Sequence, residues 1–408
     1  MHKEDLKFVI VGHIDHGKST LIGRLLYDTD SLPEEKIEEI KKTCQQFDKK
    51  LEFAYITDHL QEEREQGVTI DTAQTFFKTS KRNYVIIDAP GHKEFIKNMI
   101  TGASQAEAAI LIVDAKEGVQ EQTKRHTYVL SMLGLDQVIV VVNKMDLVGY
   151  KKERFDKIKK EIFSFMDSIN IKPSFIIPIS ALEGDNVAKR SGNIKWFSGP
   201  TVLKALDTFV NKISVQNKPL RFPIQDVYDF KDKKILVGKI ESGRLKIGDE
   251  IIFLPSKNTS TICSIEKFKE AKKEAAAGES IGITISDSLN VGRGEIVCKV
   301  NDVPKTVCQF KANVFWMAKE KWHKDDRILL RCTTQEVSCI AYEISRRIDS
   351  STLEILEKNA NELGENEVGE VIIKCQKPIV IESFNEIQEL GRFVLIKGYD
   401  VVAGGIVI

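Results

Sequence analysis

Phe8-Val-Ile-Val-Gly-His-Ile-Asp-His-Gly-Lys-Ser-Thr20 decides how this chain is read. The apolar run Phe8 to Val11 predicts a buried strand, and Leu21-Ile-Gly-Arg-Leu-Leu26 predicts the start of a helix. Between them Gly12-x-x-x-x-Gly17-Lys18-Ser19 fits the phosphate-binding P-loop, a motif that carries meaning only in a strand–loop–helix context. A triphosphate is strongly anionic. A glycine-containing loop can turn its backbone N–H groups inward around it, and the following helix N-terminus adds partial positive charge. The candidate cradle is Gly12, His13, Asp15, His16, Gly17, Lys18, Ser19 and Thr20. Lys18 is expected to reach the β- and γ-phosphates, and Ser19 to ligate Mg²⁺.

Working outward, a chain of 408 residues exceeds one ordinary core and predicts two to four domains. Its apolar fraction of 42% and charged fraction of 29% are those of a soluble globular protein, and the formal net charge is zero. A neutral chain gives no support to a broad polyanion-binding surface. The 7 cysteines form no C-x-x-C pair, which suggests free thiols in a reducing cytoplasm and small buried apolar residues rather than metal ligands. The polar start Met1-His-Lys-Glu-Asp-Leu6 reads as no signal peptide. No apolar run approaches the roughly 20 residues of a membrane span, so a cytoplasmic location without a membrane partner is expected.

The motifs downstream follow a set order. Residues 30–66 are charged, and residues 58–72 shift from charged helix to extended strand. In a nucleotide switch a threonine of such a loop completes the Mg²⁺ shell only while the γ-phosphate is present. Thr69 is the candidate, with Thr72 as its alternative. Asn83-Tyr-Val-Ile-Ile-Asp88-Ala-Pro-Gly91-His92 is a strand ending in Asp-x-x-Gly-His. There Asp88 can hold Mg²⁺ through a water, the Gly91 N–H can sense the γ-phosphate, and His92 can position the attacking water. Val138-Ile-Val-Val-Val-Asn143-Lys144-Met-Asp146 ends a further strand in a polar cluster. Asp146 can accept from N1 and the exocyclic amino group of guanine, a donor pair that adenine lacks. Asn143 is expected on N7, Lys144 along the base, and the Ala181 N–H of Ser180-Ala181-Leu182 on O6. In this order the set specifies a GTPase with GTP/GDP and Mg²⁺ as cofactors. Lys18, Mg²⁺ and backbone donors would stabilise in-line attack of water on the γ-phosphate.

Alternating strands and helices over residues 6–213 predict an α/β P-loop domain, a doubly wound and mostly parallel sheet with its ligand at the strands' carboxyl ends. Composition changes near 214–219, and short strands punctuated by Gly243, Gly248, Gly278 and Gly282 follow. The expected division is a GTPase domain at 1–213 and two small all-β barrels at 218–301 and 303–408.

A GTPase domain followed by two barrels resembles the elongation factor Tu and elongation factor 1-alpha superfamily over the whole chain. Gly12 to Thr20, Glu63-Arg-Glu-Gln-Gly-Val-Thr-Ile70 and Asp88 to His92 match it. That resemblance implies Thr69 as the switch ligand of Mg²⁺ and His92 as the water-positioning residue. Within the superfamily, Leu60 to Asp71, Gly102-Ala-Ser104, Gln122 to His126, Ile179-Ser-Ala-Leu-Glu-Gly-Asp-Asn-Val-Ala188, Trp196 to Thr201 and Val314 to Ala318 resemble the GTPase subunit of the two-subunit bacterial sulfate adenylyltransferase. This narrower resemblance implies a small adenylyltransferase subunit as partner, and GTP hydrolysis that drives formation of adenosine 5′-phosphosulfate. Asp15-His16 and Met99-Ile100-Thr101 depart from that branch toward the translation factors. The usual leader before the first strand is missing, and with no second P-loop before Ile408 no fused adenylylsulfate kinase is expected. The alternative is a translation GTPase that delivers aminoacyl-tRNA. Residues 303–408 hold nine lysines and five arginines against four aspartates and twelve glutamates, which ranks nucleic acid below the adenylyltransferase as a partner.

Overall fold

The computed structural model describes residues 5–13, 15–32, 74–87, 106–210, 215–230, 233–267 and 270–408. The chain divides into two compact units, Met1–Asn211 and Lys212–Ile408.

The first unit is built on β1 (Asp5–Gly12), β2 (Gln74–Lys78), β3 (Asn83–Ile87), β4 (Ala108–Asp114), β5 (Val138–Asn143) and β6 (Phe175–Pro178). They lie in the order β2-β3-β1-β4-β5-β6. Only the edge strand β2 runs antiparallel to its neighbour. A parallel sheet is covered on both faces, so its strands carry continuous apolar runs rather than alternation. Ala108–Asp114 and Val138–Asn143 are buried at every residue. Among the described residues this unit has the helices α1 (Lys18–Asp28), α2 (Glu121–Met132), α3 (Lys152–Ser168) and the short α4 (Val202–Leu206). In α3 the buried side is Phe155, Ile158, Ile162, Phe165 and Met166, the three-and-four spacing of one helical face. Parallel pairing puts Gly12, Asp114, Asn143 and the exit from Pro178 on one rim of the sheet. Strand order reverses between β1 and β4, the place where ligands of open α/β sheets sit.

The second unit holds two closed antiparallel rings. In one, the strands run Glu250–Leu254, Ile296–Lys299, Phe222–Phe230, Lys233–Lys239, Ser280–Ile285 and Thr259–Lys267, and the last pairs back onto the first. In the other they run Ile328–Cys332, Arg392–Lys397, Asp400–Val407, Lys305–Trp316, Glu367–Ile381 and Gln335–Asp349, closed in the same way. The strand Asp400–Val407 is thus seated between Arg392–Lys397 and Lys305–Trp316. Closure removes open strand edges.

Trp316 and Trp322 stack at 5.6 Å in the core of the second ring, and Leu254, Ile296 and Cys298 of the first ring join that core. Arg221 is 1% exposed. Its Nε and Nη2 donate to the two carboxylate oxygens of Glu382 at 2.8 and 2.7 Å, and its Nη1 donates to the carbonyls of Leu220 and Asp302 at 2.8 and 3.0 Å.

The cysteines separate into two classes. Cys298, Cys332, Cys339 and Cys375 are buried thiols as expected, and burial pushes Cys298, Cys332 and Cys375 up to about 12. Cys263 and Cys308 are exposed, against the expectation that the cysteines serve as buried apolar residues. Among the described residues no helix is long and apolar enough to cross a membrane.

Candidate nucleotide site

β1 ends at Gly12, and α1 begins at Lys18 with Gly17 as its N-cap. No side chain caps this helix, so its first-turn N–H groups face the loop. The turn is tight: Asp15 has φ 62° and Gly17 φ 92°. A Cβ on Gly17 would lie 2.5 Å from Nδ2 of Asn143, so glycine is required by both backbone and space. Lys18 Nζ donates to the carbonyls of Gly12 and His13 at 3.0 and 2.8 Å, which holds the ammonium at the loop. Ser19 and Thr20 are half-buried in the first turn of α1, and Asp15 is exposed.

The side chain of His16 turns away from the loop's inner face. Its side chain is fully buried, with Nε2 3.1 Å from a Glu117 carboxylate oxygen and Nδ1 3.4 Å from the Ile112 carbonyl. Burial lowers its proton affinity, and the Glu117 contact offsets this only in part. The imidazole therefore braces the loop against the end of β4, and a phosphate can meet only the main chain of His16.

Asn143 and Ala181 are bonded to each other, and Asn143 to the P-loop. Asn143 is 2% exposed; its Nδ2 donates to the His16 carbonyl at 2.9 Å, and its Oδ1 accepts the Ala181 N–H at 2.9 Å. The groups expected on guanine N7 and O6 are bonded within the protein, where they tie the P-loop to the loop after β6. Lys144, in a left-handed conformation at φ 60°, pairs with Asp114 at 2.8 Å. Burial raises the Asp114 carboxyl, but the Lys144 hydrogen bond and the N–H groups of Lys116 and Glu117 outweigh it and leave it below its ordinary range.

Asp146 follows in a 3₁₀ turn, Met145–Val148, whose Met145 N–H donates to the Ile179 carbonyl at 3.1 Å. Its Oδ1 is buried and has no hydrogen-bond partner among the described residues. A buried acceptor without a donor is rare in a folded protein and marks a place where an outside donor belongs. The N–H pair of guanine is such a donor, so the residues present fit the base. Ser180 is buried with its Oγ accepting the Glu183 N–H at 3.2 Å, and Leu182 is 40% exposed.

Thr69, its alternative Thr72, Asp88, Gly91 and His92 lie outside the described residues. Of the expected Mg²⁺ set only Ser19 is described, and among the described residues no cluster of histidine, cysteine, aspartate and glutamate could hold a metal. Sequence reading missed Glu117, Tyr150 and Asp185. The first lies 101 residues from the His16 it touches, and the other two bind each other across 35 residues. Asp114, at the end of an apolar strand, carried a signal of the same kind as Asp88.

Three families match the chain. Elongation factor Tu GTP binding domain covers residues 3–213, Elongation factor Tu domain 2 covers 234–298, and GTP-eEF1A C-terminal domain-like covers 309–408. Elongation factor 1-alpha of Methanopyrus kandleri is 40% identical over 420 residues, 99% of this chain and 97% of that protein. Elongation factor 1-alpha of Pyrococcus furiosus is 38% identical over 422 residues, 100% of this chain and 98% of that protein. The same factor of Methanosphaerula palustris is 38% identical over 416 residues, 100% of this chain and 97% of that protein. Among solved structures, that of sup35 complexed with GDP covers 100% of this chain and 94% of its own at 23% identity and TM-score 0.46.

These relatives overturn the narrower resemblance drawn from sequence. Neither the sulfate adenylyltransferase reading nor its small-subunit partner stands, and nucleic acid no longer ranks below that partner. Residues 60–71 and 102–104 lie outside the described residues, and the described stretches that suggested that reading serve the local fold. In 179–188 the Ser180 N–H donates to the Asp185 carbonyl at 3.2 Å, Asn186 Nδ2 donates to the Pro178 carbonyl at 3.0 Å, and Val187 is buried. Trp196 Nε1 donates to the Tyr150 carbonyl at 2.9 Å, and Val314 to Trp316 are ring core. The net charge of the last segment averages over placement and does not measure a local surface. The chain belongs to the elongation factor Tu and elongation factor 1-alpha family of GTPases, with a GTP-binding P-loop domain followed in sequence by β-barrels.

Proposed function

We propose that this chain is a cytoplasmic translation GTPase of the elongation factor 1-alpha kind, carrying aminoacyl-tRNA while GTP is bound. One observation carries the reading: relatives of that name match essentially the whole chain at 38–40% identity. In this reading the domains are 1–213, 218–301 and 303–408, and the partner is an RNA rather than an adenylyltransferase.

In this reading Lys18 neutralises the β- and γ-phosphates, and Ser19, Thr69 and Asp88 hold Mg²⁺ directly or through water. Mg²⁺ supplies charge neutralisation between the phosphates. Asp146 reads guanine through its unpaired oxygen. Gly91 senses the γ-phosphate, and His92 orients the attacking water. Leu182 and the Lys144 stem flank the base, and Gly12, His13, Asp15, Gly17 and Thr20 shape the loop.

The test is protection of the aminoacyl ester of a charged tRNA from hydrolysis. Protein loaded with a non-hydrolysable GTP analogue should slow ester loss, and protein loaded with GDP should not. The protection should weaken steeply with salt, because phosphate contacts release counterions. A protein that hydrolyses GTP yet gives no protection in either state overturns the reading. His92→Ala should keep GTP binding and slow hydrolysis by a factor on the order of 10², the scale of lost proton or water positioning. Unchanged turnover removes His92 from that role.

A further inference from the structure

We propose that Tyr150 and Asp185 are positioning residues that lock the Asp146 turn onto the loop after β6 and thereby set how strictly the site demands guanine. This rests on the reading of Asp146 as the base-recognising group.

The Asp146 turn is short and has few anchors of its own. The Gly149 N–H donates to the Asp146 carbonyl at 3.1 Å, and the Tyr150 N–H donates to the Met145 carbonyl at 2.8 Å. Tyr150 closes the turn at φ 55°, a conformation that a bulky residue adopts only when its surroundings impose it. Three contacts impose it. The Tyr150 hydroxyl donates to Asp185 Oδ2 at 2.8 Å, Trp196 Nε1 donates to the Tyr150 carbonyl at 2.9 Å, and the Tyr150 N–H is bonded as above. Asp185 is held in turn: Ser191 Oγ donates to its Oδ1 at 2.6 Å, and its carbonyl accepts the Ser180 N–H at 3.2 Å. Burial, with Asp185 beside it, raises the Tyr150 phenol well above its ordinary value, so the hydroxyl stays a donor throughout the working range.

The result is a closed path from the Asp146 turn through Tyr150 and Asp185 to Ser180. An unpaired carboxylate oxygen recognises a donor pair only if it is held to within a few tenths of an ångström, because hydrogen bonds weaken steeply with distance and angle. Neither Tyr150 nor Asp185 needs to touch the nucleotide for this. The bland account is that the pair adds only stability at a half-exposed surface. The two accounts differ in selectivity, which general stability does not move.

The measurement is the ratio of dissociation constants for GTP and inosine triphosphate, which lacks the exocyclic amino group, alongside the melting temperature. Tyr150→Phe removes only the hydroxyl. Trp196→Phe loosens the same turn from its other side. Both should lower the preference for GTP by roughly three- to tenfold, the scale of one hydrogen bond. In both, KM for GTP hydrolysis should rise while kcat stays within about twofold, because a positioning effect acts on binding. If both variants keep the wild-type ratio, whatever their melting temperatures, the proposal is overturned. If the wild-type protein itself does not distinguish the two nucleotides, the reading of Asp146 fails instead, and that result is visible before any variant is made.

Discussion

Two charged side chains with buried polar atoms are treated in opposite ways in this molecule. Arg221, in the barrel unit, has its guanidinium satisfied by both oxygens of Glu382 and by the carbonyls of Leu220 and Asp302. Burial alone would lower its pKa, yet the Glu382 contact holds it above the ordinary value. Asp146, in the P-loop unit, keeps a buried oxygen with no hydrogen-bond partner among the described residues. The first is a finished interaction that can only hold structure. The second is unfinished, and a folded protein tolerates that where a ligand completes it. Satisfaction of polar groups, more than burial or charge, separates architecture from function here.

Substitutions test that contrast most directly. Arg221→Met should produce the largest change, a loss of about 3–5 kcal/mol, because Glu382 is left as an unpaired buried charge. Chemical denaturation would read it, and GTP affinity should not move. Asp146→Asn should do the reverse. Stability should hold, and GTP affinity should fall by about 100-fold, the loss of charge-assisted bonding to the base. Xanthosine triphosphate should gain in its place. An Asp146→Asn protein that binds GTP as before would erase the distinction drawn between the two centres.

Titration gives smaller effects. The imidazole of His16 is held below its ordinary value of 6.5, first by burial. A base depressed in the fold is neutral there and charged in the unfolded chain, so stability should fall as pH drops below 6.5. His16→Gln should flatten that part of the profile, as followed by melting temperature against pH. In the barrel unit Glu279 is held at about 2 rather than 4.5, first by its hydrogen bond to Lys272 and further by Ala276 N–H and Lys267. An acid depressed in the fold contributes above its unfolded value, and that contribution disappears between about pH 4.5 and about 2. The Glu279 side chain is 25% exposed and solvent screens its contacts, so Glu279→Gln should cost less than about 1 kcal/mol at neutral pH.

Much of the fold was legible because its signals are local. The run Phe8 to Val11, the helix from Leu21 and the apolar strand ends at Asp114 and Asn143 each declare themselves within a few residues. The barrels were readable as short strands between glycine turns. Their boundaries were less so: Gln335–Asp349 was missed, and Ile355–Ala360 lacks alternation because its first five residues are exposed. The site was legible as a set of residues and less so as a set of contacts. Asn143 has the right identity and place, but its amide bonds to His16 and Ala181, partners 127 and 38 residues away. The side chain of His16 turns inward for the same reason: Glu117 and Ile112 come from β4 and its exit, and no local pattern announces them. The stretch 179–188 misled in the opposite sense. Its residues answer a local geometric demand of the GTPase loop and carry no information about pathway.

Gly17 bears on how such a site can change over time. Any side chain there would strike Asn143, and Asn143 in turn holds Ala181. In the proposed reading the phosphate loop and the loop after β6 thus share one point of failure, and a single codon change there should disturb both together. If Asp146 reads the base as proposed, a descendant of this protein could drift toward a new base through that position, where recognition can be altered while the loop survives. Gly17 leaves variation at its own position two outcomes, the present site or none.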